Sequence, residues 1–143
     1  MDPIKPSPTG LAIMLCDQII EDKQTSKKSL IGIFNQIGAA DFPCHHARLS
    51  IFVSLTEGRG SSDAKLRIVH EVTNDVVAEV KGRIQFPDIH SVVEICFNFG
   101  VIKFNQPGLY SIEFYCDDAL VLERRFHVLK AKPPPKGPPP AEM

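Results

Sequence analysis

The sequence predicts an all-β chain: an antiparallel two-sheet β-sandwich of seven to eight strands. Three observations carry this. Apolar and polar residues alternate with period two over most of the length, as in strands with one buried and one wet face. Turn residues punctuate the runs at the close, regular spacing typical of sandwiches. No stretch holds a helical period over three turns.

The expected strands follow in order. Residues 11–20 are apolar on both faces until Asp17 and Gln18, so this segment is buried or passes between sheets. Residues 29–38 are β-branched and bounded by glycine. Residues 48–56 set Leu49, Ile51, Val53 and Leu55 against Arg48, Ser50, Ser54 and Thr56. Residues 64–72 put Ala64, Leu66 and Ile68 on one face. Residues 76–86 alternate most cleanly, with Val80, Gly82 and Ile84 opposite Glu79, Lys81 and Arg83. Residues 91–99 align Val93, Ile95, Phe97 and Phe99. A closing hairpin of residues 109–116 and 119–129 turns at Asp117-Asp118. Asn74-Asp75 is the expected turn before residue 76, since both side chains tolerate positive φ. Pro87 ends a strand because it cannot donate to a ladder. Shared parity predicts a common core of Ile51, Val53, Val80, Ile84, Ile95, Phe97, Ile112 and Phe114.

A chain of 143 residues suits one domain. Residues 1–10 read as a flexible lead-in, residues 11–130 as the folded unit, and residues 131–143, with six of the twelve prolines, as a disordered Pro-rich tail. That tail is a spacer or a ligand for an aromatic-lined groove. Net charge is −1, with acidic and basic residues interspersed, so the chain shows neither the basic stripe of a nucleic-acid reader nor a membrane-surface patch. The N-terminus lacks the basic and apolar regions of a signal peptide, and the apolar stretch 11–15 is far too short to span a bilayer. A cytoplasmic protein with reduced thiols is expected. In an oxidising compartment the four cysteines would allow three pairings.

Residues with chemistry are few. Cys44, His45 and His46 form a compact group of soft ligands, but successive side chains of an extended segment point to opposite sides, and no second ligand pair stands at zinc spacing. Asp17, Asp117 and Asp118 could line one end of a sandwich and hold calcium, which needs six to eight oxygens; the plainer reading of Asp117-Asp118 is a turn. Cys16, Cys96 and Cys116 lie on strands, where buried thiols are inert. Gly58-Arg59-Gly60-Ser61-Ser62 lacks the lysine and helix of a phosphate loop. No catalytic residue, metal site or cofactor is assigned.

The opening Leu15-Cys16-Asp17-Gln18-Ile19-Ile20 with Ser29-Leu30-Ile31-Gly32-Ile33-Phe34, and the closing Pro107-Gly108-x-Tyr110-x-Ile112, resemble a family of small uncharacterised bacterial proteins over residues 11–129. The resemblance implies a stand-alone sandwich with no assigned activity and transfers no site residue. The closing hairpin is also similar to the last strands of immunoglobulin-like or C2-like sandwiches. The expected function is a non-enzymatic interaction or accessory domain with an unknown protein partner. The alternative is a ligand- or ion-binding module using loops at one end.

Overall fold

The structure, a computed structural model, describes residues 5–131. The proline-rich tail, Ala131 apart, lies outside the described residues, and so does the polyproline reading made from it. The described residues form eleven strands: β1 (Thr9–Glu21), β2 (Lys28–Ile33), β3 (Gln36–Ala39), β4 (Cys44–His46), β5 (Leu49–Thr56), β6 (Gly60–His70), β7 (Val76–Phe86), β8 (Val93–Phe99), β9 (Ile102–Phe104), β10 (Gly108–Cys116) and β11 (Ala119–Lys130). They form a four-stranded sheet, β2-β1-β5-β8, a five-stranded sheet, β3-β11-β10-β6-β7, and the small pair β4-β9. Side chains from all three sheets meet in one hydrophobic cluster. No helix of the described residues is long and apolar enough to cross a membrane.

The strand count exceeds the seven to eight expected for two reasons. The run 29–38 is two strands, and β4 and β9, of three residues each, are too short to show a period. Gly32 takes φ +69° in that run, a conformation glycine adopts without a Cβ penalty. Phe34 still donates its amide to Leu15 O on β1 (3.2 Å), but Asn35 O accepts from His127 on β11 (3.1 Å). The chain therefore changes sheets between two adjacent residues. From there β3 runs parallel to β11, so the architecture is not purely antiparallel as the sequence predicted.

That crossing closes one side of the molecule. Arg124 of β11 reinforces it, donating to Ile13 O of β1 (3.3 Å) and to Asn35 Oδ1 (2.7 Å). Lys5 also departs from the expected loose lead-in: it donates to Ser62 Oγ and lies 3.6 Å from Asp117 Oδ2.

The expected wet face of residues 48–56 is wet only at its ends: Arg48 is exposed and Thr56 half-buried. Between them Ser50, Phe52 and Ser54 are buried, as are the inward residues of β5. The four-stranded sheet curls over itself. Lys28 Nζ reaches Glu94 Oε1 at 3.1 Å, although β1 and β5 separate their strands in the ladder. Their registers, through Glu21 and Ala12 of β1, would hold them roughly 30 Å apart along a flat sheet.

Opposite the curl, β10 begins at a tight corner. Tyr110 donates its hydroxyl to Gln106 O at 2.6 Å, meets Phe104 edge-on at a centroid distance of 5.1 Å and stacks on Phe126 at 5.7 Å. His70 at the end of β6 meets Tyr110 edge-on. Its Nδ1 accepts from Val72 and Thr73 amides, so its proton sits on Nε2, which lies 3.2 Å from Pro107 O. Gly108, at φ +143°, leaves room for that ring: a Cβ there would fall 2.5 Å from His70 Nε2.

Candidate functional site

The side away from the crossing is open. Among the described residues β7 pairs only with β6, and β8 only with β5. Both are edge strands, consecutive in the chain and joined by the short stretch 87–92. Such edges carry amides and carbonyls free to take another strand.

Small residues hollow out this edge. Gly82 of β7 stands opposite Ala64 of β6 in the ladder, and both occupy inward-facing positions. A Cβ on Gly82 would meet nothing within 4 Å. The neighbouring sheet contributes Val93, Ile95 and Phe97 of β8. The result is an apolar groove of about 290 Å³ floored by Ala64 and Gly82, walled by Val80, Ile84, Ile95 and Phe97, and rimmed by Lys81, Arg83 and Gln85. Phe97 reaches inward to Phe114, ring centroids 6.2 Å apart, which anchors the β8 wall to the core. On the other face of β7 a second depression of about 270 Å³ lies against Lys65, Lys81, Tyr115, Asp63 and Asp118, and again touches Gly82. There Lys65 stands 4.8 Å over the Tyr115 ring, and Arg83 pairs with Asp63 at 3.2 Å.

The predicted core needs one correction at this edge. Val80 is not buried: it is 37% exposed, and Ile95 and Phe97 are only half-buried. Parity placed all three on the inward face correctly, but an inward side chain of an edge strand with glycine beside it has no neighbour on its open flank. Ile51, Val53, Ile84, Ile112 and Phe114 are buried as expected.

The residues singled out for chemistry are dispersed. Cys44 and His46 share the half-buried face of β4, while His45 points away and is exposed. His46 packs 5.7 Å from the Phe34 ring, and its Nε2 is buried without a hydrogen-bond partner. Asp17 faces Gly32 on the β1–β2 hairpin. Asp117 and Asp118 form the β10–β11 turn, both at positive φ. Asp117 Oδ1 accepts the Asp63 amide at 2.9 Å, and that bond, ahead of Lys5, holds its carboxyl below the usual range. Asp88 and Asp22 likewise accept amides of their own turns, from His90 and from Gln24 and Thr25, and are lowered by them. Among the described residues no three His, Cys, Asp or Glu side chains converge to hold a metal ion. The four cysteines are unpaired. Burial raises all their thiols, Cys116 to about 11.

Sequence reasoning did not find the groove. Its signal was present: a glycine at an inward position in the most regular strand, with an alanine opposite.

A family model described as a family of unknown function, DUF6941, matches residues 11–129. The chain belongs to DUF6941. The matched span runs from within β1 to within β11, so the DUF6941 region includes the crossing, the Tyr110 corner and the open edge alike. A comparison with curated proteins returns no match.

Proposed function

We propose that this DUF6941 member is a non-enzymatic, cytoplasmic protein-interaction domain of the immunoglobulin-like sandwich type, which takes an extended segment of a protein partner along its β7–β8 edge. The order β11-β10-β6-β7 corresponds to the G-F-C-C′ sheet of that architecture, and β1-β5-β8 to its A-B-E sheet. The Tyr110 hydroxyl bonded four residues upstream fits the tyrosine corner at the start of strand F. Unpaired cysteines suit a reducing compartment. Two of the groups able to do chemistry are already engaged. Burial keeps the Cys116 thiol protonated, and both nitrogens of His70 serve the backbone.

One observation carries the docking reading: an edge strand beside an apolar groove that exists because Gly82 has no side chain. Strand addition uses main-chain bonds for affinity and such grooves for specificity. A Cβ at residue 82 meets nothing within 4 Å, so Gly82→Leu should fill the groove and leave the thermal midpoint unchanged or raised. Comparative capture from native lysate tests the reading. A protein retained by the wild type and by an Ile33→Ser control on the opposite edge, but lost with Gly82→Leu, supports it. Unchanged capture by Gly82→Leu sinks it.

A further inference from the structure

The charges along β7 narrow the choice of partner. Its wet face carries Glu79, Lys81, Arg83 and Gln85; its inward face carries Ala78, Val80, Gly82 and Ile84. An antiparallel strand laid on this edge must keep apolar opposite apolar, because a one-residue slip exchanges the faces. If that strand is β7 of another molecule, three central registers satisfy the condition. Pairing about Gly82 sets Lys81 against Arg83 of the other copy, twice. Pairing about Lys81 sets Glu79 against Arg83 of the other copy, twice, but sets that lysine against itself at the axis. Pairing about Val80 sets Glu79 against Lys81 of the other copy, twice, and like charges directly opposite each other are unfavourable.

We propose that the partner at this edge is a second copy of the chain, its β7 paired antiparallel with β7 about a two-fold axis at Val80. This rests on the docking reading above and names its occupant. Two copies then share one continuous sheet, and the interface is self-complementary, as two-fold symmetry demands. Glu79 and Lys81 lie 3.6 Å apart within one chain. The paired strands would bring four such charges together with alternating sign. On the inward face Val80 meets Val80, and Gly82 meets Ala78, so small residues face one another and the groove mouths adjoin. The ladder of β6 and β7 shifts register between Ile68 and Val69, leaving Val77 outside it. The regular edge begins at Ala78, which makes this a short interface of the reversible class.

Two charge variants and their combination test it. At low ionic strength, where exposed charges act most strongly, sedimentation velocity of the wild type should show a concentration-dependent monomer–dimer equilibrium. Glu79→Lys and Lys81→Glu should each weaken association about tenfold or more, two attractions having become two repulsions. The double variant, Glu79→Lys with Lys81→Glu, should restore it. An equimolar mixture of the two single variants should form a heterodimer, visible by native mass spectrometry, because each then meets opposite charge. A wild type that stays monomeric up to about millimolar concentration, far above reversible-dimer affinities, overturns the proposal. So does a dimer that both single variants leave intact. If the wild type is monomeric yet Gly82→Leu still loses a captured protein, the second-copy reading falls and the edge remains a docking site for another chain.

Discussion

At the residue scale, the corner around Tyr110 explains why a Pro-Gly-x-Tyr string opens the closing hairpin. Proline supplies the carbonyl facing His70, glycine supplies the empty space beside the imidazole, and tyrosine ties the turn to Gln106. Gly108→Ala combines a forbidden φ with a clash against a buried ring and should cost about 2 kcal/mol or more, read by denaturant titration. Tyr110→Phe removes one hydrogen bond and should cost about 1 kcal/mol; no loss would mean Gln106 O is satisfied from elsewhere. The hairpin was legible in the sequence, but the role of His70 was not. Nothing local links residue 70 to residue 107, and an isolated histidine reads equally well as a loop residue or a ligand. A pH dependence follows from Cys116. Burial pushes its thiol up to about 11 when folded, from an ordinary value of about 9. The unfolded chain therefore gives up its proton first as pH rises. The stability from this group is intact below about pH 9 and lost progressively towards pH 11, in total about 3 kcal/mol. Replacing Cys116 by Ala should flatten that stretch of the stability–pH curve, and alkylation of this thiol at neutral pH should need unfolding.

At the element scale, period-two alternation found the long strands and their faces. The span 76–86 matches β7 end to end. It failed where a face is decided by something beyond the strand. Ser50 and Ser54 look like water-facing residues, yet the curl of the four-stranded sheet buries them. Gly82 looks like a core position and opens onto a groove instead. The segment 29–38 reads as one strand because its composition is uniform, while its hydrogen bonds change sheets at Phe34 and Asn35. These differences separate two phenylalanines that the sequence treats alike. Phe114, fully buried in central strand β10, should lose about 3–5 kcal/mol on substitution by Ala. Phe97, half-buried at the groove wall, should lose clearly less. Equal losses by urea titration would mean the edge is closed in solution.

At the scale of the whole molecule, the two sides of the core are unlike. One is sealed by the crossing from β2 to β3 and by Arg124; the other ends in the edges of β7 and β8. Arg124→Ala breaks both of that side chain's bonds across the seal and should cost about 1–3 kcal/mol. Hydrogen exchange should be slowest in β5, β6 and β10 and fastest among the outward amides of β7; uniform protection along β7 in the monomer would contradict the open edge. The sealing strand has a further consequence, in the order of assembly. β11, the last of the described strands, lies inside its sheet, between β10 and β3. Residues 36–39 therefore find their partner only after residues 127–130 are made, some ninety positions later. During synthesis the early hairpin can form while the seam waits. Such distant pairings are slow to close. A nascent chain stopped short of residue 119 would leave β3 without its partner and expose β10 as a second sticky edge, so the emergence of residues 119–130, rather than any local step, should set when this domain becomes safe from aggregation.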